Sequence, residues 1–328
     1  MVLLANGPGM ENDFSKDYQE AIKKRSNDEL SWFRYWSPFE PGLKGKKKIY
    51  VSLDGVYNQI NLNTLKKPGF DYLINQYDIV LLGNPKDILT GNNKTSKVTG
   101  KKATLIGYPD FGSDRIPELP GTQTEVDEIN RVLKSSGYQV NEFLQKEATE
   151  TNLKQAKKIS VLHIATHGYF LQDVVKVFWP IGVHADNAKD NVLLRSGLLL
   201  AGASAEDKLS AGLDSTNNGI ITSYEAMNLD LRGTTLVVLS ACESGLGEVK
   251  AGEGVYGLQR AFLVAGAEAL VMSLWKVDDA ATQQLMNNFY SNWIKTGDKQ
   301  KAFKQAQIQL MTKYKNPYYW GAFVMMGY

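Results

Sequence analysis

Three short runs of apolar residues, at 159–165, 236–240 and 269–274, constrain this chain more than any other feature of its sequence. Such runs are buried on both faces when they form strands, which is the habit of a parallel sheet covered by helices. Between the last two runs, Leu258, Ala261, Phe262 and Ala265 mark one helix; after them Leu285, Met286, Phe289, Tyr290 and Trp293 mark another. The alternation predicts a doubly wound, mostly parallel α/β sheet flanked by helices. A further helix carrying Phe303, Ala306 and Leu310 and a strand near 323–326 follow it.

Upstream, 103–108 and 138–143 read as strands on either side of a helix. In that helix Val126, Ile129 and Leu133 share a face, Thr122 with Glu125 reads as a capping box, and Gly137 closes the end. Residues 48–55 and 77–83 are two earlier strands, and the polar stretch 90–101 is a linker. With 328 residues there is room for about two units: an N-terminal α/β extension over 1–100 and a main domain over 101–328. The extension opens with a helix near 18–24 and the aromatic cluster Trp32, Phe33, Tyr35, Trp36 and Phe39; residues 1–12 show no folding logic and are set outside the fold.

Lys plus Arg number 37 against 35 Asp plus Glu, so there is no electrostatic case for nucleic acid or a membrane surface. A signal peptide and an apolar run long enough to span a bilayer are both missing from the sequence. The single cysteine, Cys242, allows no internal disulfide and no cysteine metal cluster; a reducing, cytoplasmic address fits, with no cofactor and no metal expected.

Ligands of an open α/β sheet bind beyond the carboxyl ends of its strands. Beyond 159–165 stand Thr166, His167 and Gly168; beyond 236–240 stand Ala241 and Cys242. An imidazole and a thiol at the tips of neighbouring strands form a nucleophile and proton carrier suited to acyl transfer. Gly168 lets a substrate approach the backbone, and its N–H with that of Cys242 is the expected oxyanion site. A buried apolar thiol and a structural histidine are the alternative readings of the two residues. His163, four residues from His167 and about 13 Å away along a strand, is a sheet residue rather than a zinc partner. His184 lies in a loop without a visible partner.

Gly252, Gly254 and Gly257 match the dinucleotide pattern G-x-G-x-x-G ahead of a helix. About a dozen residues separate them from the preceding strand, where that pattern should follow at once. A nicotinamide-binding protein is therefore a remote reading. The long Gly- and Ser-rich connection 201–228 is a candidate functional or cleavable loop.

The stretches Val161-Leu-His163-Ile-Ala-Thr-His167-Gly168, Leu236-Val-Val-Leu-Ser-Ala-Cys242-Glu-Ser-Gly245 and Ser273-Leu-Trp275-Lys-Val-Asp-Asp279 resemble the CHAT family of caspase-like cysteine peptidases. The likeness runs on through Gly252-Glu-Gly-Val-Tyr-Gly257 and Tyr318-Tyr-Trp-Gly-Ala-Phe323, covers about 101–328, and continues weakly back to Ile49. It implies a caspase/separase-type fold and an endopeptidase with His167 as general acid/base and Cys242 as nucleophile. It also implies a polypeptide substrate, a role in prokaryotic signalling or defence, and a tetratricopeptide-repeat or other sensor region outside this chain. By analogy with separases, acidic residues after the tryptophan receive a basic side chain: Asp278 and Asp279 follow Trp275, which stands 33 residues after Cys242. Trp275, Asp278, Asp279 and Glu243 beside the thiol are thus the expected substrate-binding residues. One of the two aspartates equally suits a helix N-cap, and the second acid expected a turn later is replaced by Thr282 and Gln283. A non-catalytic caspase-like scaffold or switch is the alternative from a different class.

Overall fold

The computed structural model describes residues 7–90, 100–112, 114, 116–170, 191–203, 217–242, 244–250 and 254–327. Among these the strands are β1 (Lys48–Ser52), β2 (Asp78–Leu82), β3 (Lys102–Pro109), β4 (Gln139–Gln145), β5 (Val161–Ala165), β6 (Gly168–Phe170), β7 (Ser196–Leu199), β8 (Ile220–Thr222), β9 (Leu236–Ser240), β10 (Gly247–Lys250), β11 (Gly254–Gly257), β12 (Ala269–Ser273) and β13 (Phe323–Gly327). The longer helices are α1 (Ser15–Lys24), α2 (Leu30–Tyr35), α3 (Pro120–Ser135), α4 (Leu258–Val264), α5 (Asp279–Thr296) and α6 (Lys299–Lys313).

Eight strands form one sheet in the order β1-β2-β13-β12-β9-β5-β3-β4. Every pairing is parallel except β12 with β13, so two parallel blocks run in opposite directions and meet at one antiparallel seam. The fold is thus the mostly parallel α/β sheet that the apolar runs predict. From β3 the chain steps outward to β4 and then back past β3 to β5. This reversal opens a crevice at the carboxyl ends of β3 and β5, where such sheets hold ligands.

Side-chain alternation divides the core cleanly. Val161, Ala165, Leu236, Val238, Val271 and Phe323 face α3, α5 and α6. Leu162, Ile164, Val237, Leu239 and Met272 face the other way, onto α4 and the small antiparallel sheet β6-β7-β8. The capping of α5 and α6 is local: Asp278 Oδ1 accepts from Ala281 N at 2.9 Å, Asp298 Oδ1 from Lys301 N at 3.0 Å, and Gly297 ends α5 in the left-handed region. Gly137 likewise turns the chain after α3 with φ +83°.

Two local expectations are corrected. Thr122 and Glu125 form no capping box, because α3 begins with Pro120 at its first position and Thr122 is already inside it. The Thr122 hydroxyl instead accepts from Tyr108 N (2.9 Å) and donates to Leu119 O (2.7 Å), while Glu125 turns into the protein. Nor do residues 7–12 stand outside the fold. Gly7–Gly9 and Met10–Phe14 are helical, Met10 is buried, its carbonyl accepts from Tyr35 Oη at 3.0 Å, and Glu11 Oε1 accepts from Val56 N at 3.2 Å. Those residues seal a separate N-terminal core of Tyr18, Ile22, Trp32, Tyr35, Trp36, Ile60 and Leu65.

Of the polar stretch 90–101 expected as a linker, Thr90 ends a helical turn, Asp87–Thr90, and 91–99 lie outside the described residues. Much of the 201–228 connection, at 204–216, lies outside them too, as does His184. The rest of that connection supplies β8 and a capped turn, Ser223–Ala226. No described helix is long and apolar enough to cross a membrane.

Candidate active site

β5 and β9 are neighbours in register, with Ala165 paired to Ser240, and the ladder extends one step further through Thr166 N to Ser240 O at 3.2 Å. His167 and Cys242 each stand two residues beyond that pair. Both are therefore in phase with the sheet face covered by α3 and α5, and both line one groove of about 790 Å3. Cys242 is half-buried.

His167 is oriented from the far side of the crevice. Its Nε2 lies 2.8 Å from the carbonyl oxygen of Pro117, in the loop between β3 and α3, and its ring leans on Phe111 at 5.4 Å between centroids. A carbonyl only accepts, so Nε2 carries a hydrogen, and in the neutral imidazole the lone pair is then on Nδ1. That is the tautomer a proton acceptor needs. Gly168 follows, and its lack of a side chain is enforced: a Cβ there would sit 2.7 Å from Cys242 O and 3.4 Å from Ala241 Cβ. The backbones bearing the imidazole and the thiol are thus in direct contact.

The thiol's own loop is pinned to β12. Ser273 Oγ donates to Ala241 O at 2.5 Å, Gly245 N to Ser273 O at 2.7 Å, and Ser244 Oγ both donates to Leu239 O and accepts from Ser273 N, each at 3.1 Å. Gly245 is tightly enclosed: a Cβ would stand 3.0 Å from both Met272 Cγ and Ser273 O, so its neighbours would have to give way. Hydrogen bonds of this number hold Cys242 at the strand tip without help from a following helix.

Of the other sequence-selected residues, Trp275 and Asp279 line the same groove. Trp275 is fixed by its indole N–H donating to Tyr318 O at 3.0 Å. Asp278 caps α5, and Asp279, the first residue of that helix, faces the start of α3 near Gly121. Glu243 lies outside the described residues. In the glycine pattern, Gly254–Gly257 is a strand paired antiparallel with β10 rather than the tight strand-to-helix turn that cradles a pyrophosphate, and Gly252 lies outside the described residues. Among the described residues there is no group of three His, Cys, Asp or Glu side chains placed to hold a metal ion.

Two contributors to the groove escaped sequence reasoning. One wall is the N-terminal helix α1, through Tyr18, Gln19, Ile22 and Lys23. Tyr18 is buried and shares a hydrogen bond with Thr64 Oγ1 at 2.9 Å, and Arg25 just after α1 stacks on Tyr318 and Tyr319 at 4.6 and 5.0 Å. The other is Glu125 from α3, only 2% exposed yet lining the groove. Its Oε1 lies 3.0 Å from Nε2 of the fully buried His163, at ion-pair distance but outside hydrogen-bond geometry. His163 Nδ1 is 3.2 Å from Tyr290 Oη, and burial, reinforced by the charge of Glu125, holds that phenol protonated well above the ordinary tyrosine range. The pairing of Glu125 with His163 leaves no signature in sequence spacing, since 38 residues separate them.

A mostly parallel sheet with a thiol and an imidazole at adjacent strand tips defines the architecture of the caspase-like cysteine proteinases. The structure is similar to the crystal structure of the Arg-specific cysteine proteinase gingipain R (TM-score 0.54, 11% identity, covering 95% of this chain and 75% of that one). It is also similar to the complex of the RgpB pro- and mature domains of Porphyromonas gingivalis (TM-score 0.50, 10% identity, 96% and 76%). At such identities the likeness is one of fold. The chain belongs to the CHAT domain family, whose profile matches residues 32–328. Over shorter stretches it is similar to Tetratricopeptide repeat protein 28 of Homo sapiens (32% identical over 110 residues, 33% of this chain) and of Mus musculus (34% over 102 residues, 30% of this chain). The matched stretch is 4% of the length of each of these relatives.

Proposed function

We propose that this chain is a cysteine endopeptidase that cuts a polypeptide partner through Cys242 as nucleophile and His167 as proton carrier. The observation that carries the reading is the in-register placement of the two residues beyond Ala165 and Ser240, in one groove, with His167 held in the Nδ1-acceptor tautomer by Pro117 O.

In this reading the Cys242 proton passes to His167 Nδ1 and the thiolate adds to the scissile carbonyl carbon. The oxyanion is received by the N–H groups of Gly168 and Cys242. The imidazolium then protonates the departing amine, and water, deprotonated by the same imidazole, releases the acid and restores the thiol. No metal or organic cofactor takes part in these steps.

Residues 101–328 act as the catalytic unit, and residues 1–100 as an extension that lends two strands and one wall of the groove. The similar proteins are named for tetratricopeptide repeats, which supports a sensor region beyond this chain; a cytoplasmic setting in prokaryotic signalling or defence belongs to the same proposal.

The test is a cleavage profile on a mixed peptide library with wild type and Cys242→Ala, together with labelling by a peptidyl electrophile. Wild type is expected to cleave and label at Cys242, with cleavage at least a thousandfold lower in the variant. Cleavage that survives in Cys242→Ala overturns the assignment. A folded wild type that neither cleaves nor labels faster than an ordinary thiol points instead to a scaffold or switch.

A further inference from the structure

We propose that Tyr108 is a positioning residue for the proton carrier: through Glu118 and Thr122 it clamps the segment whose Pro117 carbonyl holds His167. The proposal rests on reading His167 and Cys242 as the peptidase pair. Tyr108 has φ +46°, a left-handed backbone that a residue with a bulky side chain adopts only at a cost. It is also the extra residue of a bulge near the end of β3. Gly107 pairs with Leu144 and Pro109 with Gln145, the next residue of β4, so the ladder passes Tyr108 over.

The bulge turns Tyr108 onto the loop between β3 and α3. Its N–H, out of the ladder, donates to Thr122 Oγ1 at 2.9 Å, and that hydroxyl donates to Leu119 O at 2.7 Å. The phenol donates to Glu118 Oε2 at 2.9 Å, a bond that lifts its pKa above the ordinary tyrosine range and keeps the donor proton in place. Residues 118 and 119 are thereby fixed from one side. From the other, Ile116 is buried in one cluster with Phe111, Leu194 and Ile220. Pro117 stands between these two anchors, and its carbonyl lies 2.8 Å from His167 Nε2.

The anchors differ in kind. Ile116 secures the fold of the loop by apolar burial, whereas the bond to Glu118 is exposed and adds little to stability. A strained tyrosine that contributes little to folding is accounted for by what its bonds hold in place. An acid–base group works only within hydrogen-bond reach of its partners, so play in the Pro117 carbonyl is felt in catalysis before it is felt in folding.

The experiment sets activity against stability in Tyr108→Gly, Tyr108→Phe, Glu118→Gln, Glu118→Ala and the double variant Tyr108→Phe/Glu118→Ala. Glycine takes a left-handed φ freely, so Tyr108→Gly is expected to keep the wild-type melting temperature while kcat on a library-derived peptide falls about tenfold with KM little changed. Tyr108→Phe, which removes the hydroxyl alone, is expected to lose about fivefold in kcat. Glu118→Gln keeps an acceptor oxygen and loses less than Glu118→Ala. The double variant falls no further than the lower of its two single variants, because both break one bond. A second readout needs no substrate. In protein carrying nitrogen-15-labelled histidine, exchange of the His167 Nε2 proton with water is expected to quicken about tenfold in Tyr108→Gly, while the signal of the fully buried His163 stays as in wild type.

Full activity in the Tyr108 variants overturns the inference, whatever the exchange shows, and leaves the peptidase standing. A loss of activity in Tyr108→Gly that a lower melting temperature accompanies, with the His167 signal unmoved, overturns it too and marks the residue as structural only. A rise in KM in the Glu118 variants that the Tyr108 variants lack assigns Glu118 to the substrate and has the same consequence. Faster exchange at His167 in a protein that cuts no peptide supports the clamp and overturns the peptidase reading; no cleavage and no change in exchange overturn both. If Tyr108→Gly does not fold, Tyr108→Phe decides by the same readouts.

Discussion

A methyl group added at Gly168 would disturb both halves of the proposed dyad at once. The Cβ of alanine would stand 2.7 Å from Cys242 O, a distance that forces the backbone of one residue or the other to move. Displacement of a reacting group by about 1 Å costs on the order of a hundredfold in rate. Gly168→Ala is therefore expected to lose about a hundredfold in kcat/KM on a library-derived peptide, with a small change in the thermal midpoint. Full activity in a folded Gly168→Ala protein would show that the close approach has no bearing on catalysis. At this scale the sequence was partly legible. His167, Gly168 and Cys242 follow from a rule about strand ends; His167 and Cys242 line one groove, and Gly168 packs against the backbone of Cys242. Glu125 was visible but misassigned, because a Thr-x-x-Glu spacing ahead of apolar residues carries the pattern of a capping box whether or not the helix starts there. Here it begins two residues earlier at Pro120, which has no N–H in need of a cap acceptor, and the glutamate is left to turn inward.

Between residue and fold lie the contacts that hold two elements in working position. The loop after β9 owes its shape to Ser273 on β12, whose hydroxyl and both backbone polar groups bind residues 241, 244 and 245. Ser273→Ala leaves the buried carbonyl of Ala241 without that donor, at a cost of about 1–3 kcal/mol. The urea midpoint is expected to fall accordingly, and kcat/KM to fall by more than the small loss of folded fraction explains. A loss of stability alone, with the rate of the folded protein intact, would mean that β12 does not position Cys242. A second test concerns α1. Tyr18 Oη pairs with Thr64 Oγ1 and accepts from Asn61 N at 3.2 Å, all in buried surroundings. Tyr18→Phe strands that amide and is expected to cost about 1–3 kcal/mol in denaturant unfolding while weakening peptide binding through the groove wall that α1 forms. The helix itself was legible near 18–24, but its place was not. Nothing in the local periodicity of α1 says that it will line the same groove as a histidine some 150 positions later in the chain.

For the whole molecule, burial of tyrosines sets an alkaline limit. Tyr18, Tyr35, Tyr57, Tyr169 and Tyr290 are each pushed above the ordinary tyrosine range chiefly by loss of solvent. Their unfolded counterparts ionise near pH 10, about the usual value. Below that pH both states keep the proton and stability is unaffected. Above it the unfolded chain releases protons that the folded chain retains, so stability falls as pH rises. The urea midpoint is expected to be flat between pH 8 and about 9.5 and to drop steeply beyond pH 10; a midpoint that stays level to pH 11 would mean that these phenols reach solvent before unfolding.

The sheet as a whole carries a structural debt at its antiparallel seam. The apolar runs foretold the parallel block, but not that β13 would reverse beside β12 and offer its other edge to β2. Strand order depends on which edges remain uncovered after the helices have packed, and that is a property of the assembled layers. The β2 edge meets β13 through one registered pair, Met326 with Leu81. Side chains complete the rest of the junction. Asn61 Nδ2 donates to Gly321 O at 2.7 Å, and Lys304 Nζ donates to Tyr77 O at 3.0 Å. Trp275 takes cover from the N-terminal core as well as from the main one. A chain of residues 101–328 alone would leave Gly321 O without its donor, bare the β13 edge, and remove α1 from the groove. An exposed apolar edge of this kind is a template for association. The truncated chain is therefore expected to elute as aggregate or oligomer in size-exclusion chromatography, to lose a single cooperative unfolding transition, and to show Cys242 alkylation no faster than that of an unstructured thiol. If residues 101–328 instead form a cooperative monomer whose Cys242 keeps its reactivity toward a peptidyl electrophile, the first hundred residues do no more than decorate the catalytic unit, and the wall contributed by α1 is dispensable.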